Sequence, residues 1–208
     1  MKKLLIIGAG GHGKVVADIA KQMHQYSDIY FADDRLDIQN MKISGIQVVG
    51  TTAFAFRHIK EYEIFVAVGN ADVRRKMMLQ LVSQNAVLPV LIHPDAVIAD
   101  DVSIGNGTVI MAGSVINSGS IIGQGVIINT CASVDHDNFI SDYVHISVGT
   151  HLAGNVSVGE RSWIGISAAV SNNISIASEV VVGAGAVVVK DIEEKGTYAG
   201  IPARRIHA

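Results

Sequence analysis

From Ile98 to Val188 every sixth residue is aliphatic, giving sixteen consecutive Ile, Val or Leu positions without an insertion. Four residues after each of them stands a mostly small, hydroxylic or β-branched residue, from Val102 through Thr108, Ser114 and Ser120 to Ala186. Only the amide Asn138 and the larger Ile174 and Ile192 depart from that second series. An amphipathic helix needs a period of 3.6 and a simple strand a period of 2, so neither explains a strict six. A hexapeptide repeat predicts a parallel β-helix, in which stacked coils share one aliphatic core and each coil touches only its neighbours.

Residues 1–90 follow another rhythm. Short apolar runs alternate with amphipathic stretches: Leu4–Ile7, Lys14–Gln22, Ile29–Phe31, Ile64–Val68, Ala71–Asn85 and Leu88–Leu91. That order predicts a small βαβ-type parallel sheet. The expected organisation is therefore two domains, an α/β Rossmann-like unit over 1–90 and an all-β parallel β-helix over 91–208.

Composition narrows the partners. Hydrophobic residues make up 49% of the chain and aromatics only 5%, so Val, Ile, Leu and Ala fill a narrow, regular interior. Net charge is −3 and the one basic pair that stands out is Arg204-Arg205, so the footprint of a nucleic-acid binder is missing. Lys2-Lys3 leads straight into a strand, and no run of about 18 apolar residues exists, so neither a signal peptide nor membrane insertion is expected. One cysteine, Cys131, cannot close an intrachain disulfide, which fits a cytoplasmic protein. Its ordinary role is that of a small filler.

Two places carry candidate chemistry. In the N-terminal unit, Gly8-Ala9-Gly10-Gly11-His12-Gly13 satisfies G-x-G-x-x-G between the first strand and the first helix. Glycines there let a backbone approach a pyrophosphate, and the helix N-terminus offers free N–H groups. Asp33-Asp34 stands where such folds place a ribose-binding carboxylate, and Gly69-Asn70 falls at the C-terminal edge of the sheet. A dinucleotide, another nucleotide diphosphate and a mere packing turn all remain open on these residues. Arg74 and Arg75 read as solvated helix surface.

In the repeat region, His136 occupies an outward position of its hexad, with Ser118 and Gly154 one coil away on either side. Asp135 or Asp137 beside it makes a general base, since a carboxylate fixes the imidazole tautomer and raises the basicity of the other ring nitrogen. His145 falls on a strand position with Trp163 one coil above and Ile127 one coil below. His136, His145 and His151 form the competing set, a zinc site of a hydratase. A bare scaffold is the third possibility.

The hexads resemble the left-handed β-helix of hexapeptide-repeat acyltransferases, whose triangular prisms associate as trimers. Taken end to end, IIGAGGHGKVVADIA, FADD, AVGNADVRRK, LIHPDAVI, VDHDNFISDYVHISVG, LAGNVSVGERSWIGISAAV and GTYAGIPARR are similar to the bacterial sugar acetyltransferases that join a small Rossmann-like domain to such a helix. The nearest in pattern are the UDP-4-amino-sugar N-acetyltransferases of the bacillosamine type, together with the sialic acid O-acetyltransferase-like proteins. The resemblance implies acetyl-CoA as acyl donor, no metal, a homotrimer, and a role in bacterial glycan biosynthesis. It implies His136 as catalytic base with Asp137 as partner, where the bacillosamine enzymes have Glu. It places acetyl-CoA against His145, Gly154, Ile166 and Ala184, and the nucleotide part of the sugar against Gly10, Gly11, His12, Asp33, Asp34 and Gly69. The expected reaction is direct acetyl transfer to the C4 amine of a nucleotide-linked, UDP-type amino sugar. O-acetylation of a sialic-acid-like sugar, transfer to a dTDP sugar and non-catalytic nucleotide-sugar binding are the alternatives.

Overall fold

The computed structural model describes residues 2–207. The chain divides into two compact units, the first reaching Pro94 and the second starting at Asp95. Leu91 is fully buried, and the short strand Leu91–Ile92 contacts the first helix of the N-terminal unit.

The N-terminal unit is built on β1 (Lys2–Ile7), α1 (Gly11–Gln22), β2 (Tyr26–Ala32), β3 (Lys42–Ile43), β4 (Ile46–Gly50), α2 (Thr52–Arg57), β5 (Glu63–Val66) and α3 (Ala71–Ser83). Leu4 to Ile7 carry side chains buried on both faces, as a central parallel strand demands. The sheet order is β3-β4-β2-β1-β5, with β2 and β5 flanking β1 in parallel. Strand order therefore reverses at β1, and the crevice beyond the ends of β1 and β5 is the topological switch point where open α/β sheets bind ligands.

Two elements were not expected from the pattern. The hairpin β3–β4 turns on Ser44-Gly45, both at positive φ (50° and 78°), between paired Ile43 and Ile46. A two-residue loop with both central residues left-handed is the turn whose twist matches its strands. The six-residue α2 is too short to show a helical period. Conversely, Leu88–Leu91 contributes only its end to the strand Leu91–Ile92.

In the second unit the two-residue strands pair with a constant offset of eighteen, three hexads to a coil. Val97, Val115, Ser133, His151, Ala169 and Val187 form one such column. Ser103, Ile121, Phe139, Ser157 and Ser175 form a second. Val109, Ile127, His145, Trp163 and Val181 form the third. These are the three faces of the left-handed β-helix. Of the sixteen hexad aliphatics, all but Ile98 and Ile104 of the first coil are buried.

The second series of small residues lines the corners, where buried backbone groups need partners. Thr108 Oγ1 donates to Gly123 O (2.8 Å) and accepts from Val126 N (3.0 Å); Ser162 Oγ does the same toward Ala177 O and Val180 N. One hydroxyl thus joins a carbonyl fifteen residues on to an amide eighteen residues on. The repeat slips at its end, where Ile192 bridges Ile176 at an offset of sixteen, and Gly196–Ala199 followed by antiparallel Arg204–His207 closes the third face.

Candidate active site

The corner between the strands Ser133–Val134 and Phe139–Ile140 carries Asp135, His136, Asp137 and Asn138. Asp137 is left-handed (φ 57°), which turns its carboxylate back on the preceding ring. His136 Nδ1 lies 2.8 Å from Asp137 Oδ2, and both side chains are largely exposed. A carboxylate only accepts, so Nδ1–H is the donor and Nε2 keeps its lone pair. Asp135 works from the other side. Its Oδ1 accepts from His136 N (2.8 Å) and from Asn117 Nδ2 one coil below (2.8 Å), bonds that hold its carboxyl below the usual carboxylate range. The Asp137 hydrogen bond, with the charge of Asp135 behind it, raises the His136 pKa above its ordinary 6.5. Asp101, which accepts from Ser118 Oγ and Gly119 N, is the next acid below, and Ala153-Gly154-Asn155 above contribute no charge.

Two glycines frame this dyad. A methyl on Gly154 would collide with Nε2 and Cε1 of His136, so the base nitrogen sits in the space that glycine leaves. A methyl on Gly119 would meet Asp137 Oδ1 in the same way one coil below. The first glycine is legible at an offset of eighteen from His136, and the second stands at the same offset from Asp137.

His145 is stacked on Trp163 with ring centroids 5.4 Å apart and planes 13° from parallel, and its Nε2 lies 3.1 Å from Asn129 Nδ2. Trp163 is 50% exposed, so this is an open aromatic wall. Ile166 and Ala184 are exposed on the next corner, one coil apart. His136 and Gly154 belong to a different corner, and the column holding His151 lies between. One chain therefore brings His136, Asp137 and Gly154 together, and separately His145, Trp163, Ile166 and Ala184. His145 and His151 stand on two different faces of the coil, and His136 on the corner that follows the His151 column. Among the described residues no group of three or more His, Cys, Asp or Glu is placed to hold a metal ion.

In the N-terminal unit the glycines of the motif divide in role. Gly8 (φ 103°) presses on Ala67 O and Gly13 on Gly8 O, where any side chain would clash, while Gly10 and Gly11 face open space. Gly10 caps α1 without a side chain, which leaves the first turn's N–H groups facing the switch point. Asp33 is already engaged, accepting from Ala9 N (2.8 Å) and holding Arg35 through both oxygens, and its pKa drops to about 2, chiefly through that arginine. Asp34 accepts from Thr52 N and Oγ1 at the start of α2. Asn70 caps α3 by accepting from Val73 N. Arg75 is exposed, but Arg74 is 1% exposed and donates to Val68 O and Gly69 O (2.8 and 2.9 Å), fixing the loop after β5. Reading it as surface charge fails because α3 begins at Ala71 and turns this fourth residue inward.

His12 sits in the first turn of α1, and its Nε2 is shut off from solvent with no hydrogen-bond partner among the described residues. Burial, aided by the charge of Arg74, lowers its pKa from 6.5 to about 4. The folded state keeps His12 neutral in a window where the unfolded chain binds a proton. Stability from this group is complete above pH 6.5 and is lost as pH falls toward 4, by at most roughly 3 kcal/mol. Urea unfolding of the intact chain at pH 7 and pH 4.5 should show this loss, and His12→Gln should reduce it; an equal loss in both proteins would contradict the assignment.

The chain is similar to several known proteins. Residues 3–81 match the PglD N-terminal domain family, and residues 89–118 match the family described as bacterial transferase hexapeptide (six repeats). The solved acetyltransferase domain of PglB from Neisseria gonorrhoeae FA1090, in complex with acetyl coenzyme A, is 44% identical with a TM-score of 0.95, covering 99% of each chain. A His-to-Asn mutant of perosamine N-acetyltransferase from Caulobacter crescentus, in complex with CoA and GDP-perosamine, is 35% identical with a TM-score of 0.91, covering 100% of this chain and 98% of that one. The UDP-N-acetylbacillosamine N-acetyltransferase of Bacillus subtilis (strain 168) is 38% identical over 110 residues, a match that spans 52% of this chain and about half, 51%, of that enzyme.

Proposed function

Because the chain belongs to the bacterial sugar N-acetyltransferases that join a PglD-type N-terminal domain to a hexapeptide-repeat β-helix, we propose that it transfers acetyl from acetyl-CoA to the C4 amine of a UDP-linked amino sugar. The observation that carries this reading is the His136–Asp137 pair, 2.8 Å apart, with Nε2 free over Gly154.

The step needs no covalent acyl-enzyme. The free amine attacks the thioester carbonyl, forming the N–C bond; His136 Nε2 takes the proton that nitrogen must shed; the C–S bond breaks; and the imidazolium returns the proton to the departing thiolate. Asp137 holds the tautomer that makes Nε2 the acceptor and stabilises the cation that forms. Backbone N–H groups at the carbonyl oxygen serve as the oxyanion donors. In the N-terminal unit, Gly10 and Gly11 offer unobstructed backbone to the diphosphate, and Asp33, Asp34, His12 and Gly69 are the further residues assigned to the nucleotide. On the β-helix, His145, Ile166 and Ala184, with Gly154, line the acetyl-CoA site. His145 and His136 lie on different sides of one coil, so a pocket using both is completed by a second copy of the chain, which supports a homotrimer.

The pH dependence follows from the raised pKa of the base. Only neutral His136 accepts a proton, so kcat should climb with pH through a midpoint above 6.5. Asp137→Asn removes the largest cause of that elevation, so its acid limb should move to lower pH while its plateau falls. A midpoint unmoved by the substitution would separate Asp137 from the base.

The nucleotide and the acceptor atom are tested by comparing kcat/KM over UDP-, GDP- and dTDP-4-amino sugars and sialic acids. Highest turnover with N-acetylation of a UDP sugar supports the reading. Acetylation confined to a hydroxyl, or to another nucleotide, overturns the corresponding half of it.

A further inference from the structure

Asn138 interrupts the series of small corner residues, and its side chain is 1% exposed. At Thr108, Ser120 and Ser162 the hydroxyl makes two bonds, one donated fifteen residues ahead and one accepted eighteen residues ahead. Asn138 makes the same two: Nδ2 donates to Ala153 O (3.0 Å) and Oδ1 accepts from Val156 N (3.1 Å). Its second amide hydrogen adds what a hydroxyl lacks. Nδ2 also donates back to Asp135 O (2.6 Å), with His136 O at 3.3 Å. A serine or threonine has one O–H and cannot donate both ways at once.

We propose that Asn138 is a positioning residue for His136, tying the backbone of the Asp135–Asp137 corner to the Ala153–Gly154 corner above so that Nε2 is held over Gly154. Resting on the general-base reading above, the proposal explains why the one buried amide of the series stands in the coil that bears the dyad. The carbonyls it clamps belong to the residue before the base, to the base itself, and to the residue before the glycine that makes room for the ring. Loss of the back-bond leaves Asp135 O with Ser120 Oγ and His136 O with Asn155 N, so the corner stays paired but loses its lateral tie.

The discriminating variant is Asn138→Ser, which retains the two ladder bonds and deletes only the third. Asn138→Thr, the residue type at 108 and 150, serves if the serine protein does not fold. Ser162→Ala, a ladder change in a coil corner without catalytic groups, is the control for a purely structural effect. Each protein is assayed for melting midpoint, for kcat and KM with acetyl-CoA and the nucleotide sugar, and for the His136 imidazole titration by NMR of histidine-labelled protein, the signal being the one lost in His136→Ala. Asn138→Ser should lower kcat about 10-fold or more with both KM values unchanged, a loss typical of a misplaced reacting group. Its His136 titration midpoint should fall toward 6.5 while the melting midpoint stays near that of the parent. Ser162→Ala should show the reverse, a lower melting midpoint with kcat and titration unchanged. If Asn138→Ser keeps the parent's kcat and His136 midpoint, the proposal is overturned. If the parent chain acetylates no acceptor, the general-base reading fails instead, and the His136 titration still decides whether Asn138 holds the ring.

Discussion

Replacing His136 with alanine is expected to lower kcat by about 10² or more, the usual span for losing a positioned general base. Two features make the loss interpretable. The side chain is 60% exposed, so its removal opens no cavity in the core, and the β-helix beneath it is held by Val134, Ile140 and the hydroxyl ladder. The melting midpoint should therefore stay near that of the parent. Because acetyl-CoA is assigned to the wall at His145 and the nucleotide to the N-terminal unit, both binding constants should also persist. Isothermal titration with acetyl-CoA alongside steady-state rates separates the cases: retained binding with lost turnover supports the base, and retained turnover rejects it.

Gly154→Ala should have an effect of similar size, about 10² in kcat, through displacement rather than deletion. No positive φ restricts this glycine, and the atoms a new methyl would meet belong to the imidazole of His136. The ring is at the surface and can swing away, so the fold tolerates the methyl while Nε2 loses its place. Stability should hold or rise by roughly 0.4–1 kcal/mol, as expected when alanine replaces glycine at a compatible backbone position. Lower kcat with an equal or higher melting midpoint is a combination that general damage to the fold does not produce. A double variant with His136→Ala should be no slower than His136→Ala alone; additive losses would mean that Gly154 acts elsewhere.

The β-helix was legible because its period is dictated by geometry: a coil of eighteen residues places Ile146 over Ile128 and under Ile164 in one aliphatic column. The same offset of eighteen located Gly154 above His136 and Trp163 above His145 from sequence alone. What escaped was chemistry that the repeat does not encode. Asn138 stood out only as an exception to its series, and its two donated bonds and one accepted bond depend on an amide geometry that spacing cannot show. Arg74 looked like surface because charged helix residues usually are, whereas the carbonyls of Val68 and Gly69 give it a buried partner set. The N-terminal hairpin hid behind a serine-glycine pair flanked by runs of only two and five residues.

Asp33 and Asp34 illustrate a different limit. Their positions after β2 are where a ribose-binding carboxylate is expected, yet each is committed to a protein partner, Asp33 to Ala9 N and Arg35 and Asp34 to Thr52. Spacing identifies the edge of the sheet at which these residues stand. It does not reveal how their oxygens are shared.

The most direct test of the account is mass spectrometry of both sugar and protein after mixing the chain with acetyl-CoA and a UDP-4-amino sugar, with His136→Ala run in parallel. Direct transfer with His136 as base gives one added acetyl group on the sugar, an unmodified protein mass throughout, and negligible product with the variant over the same interval. An acetylated protein, or equal product from His136→Ala, would contradict direct transfer with His136 as the base.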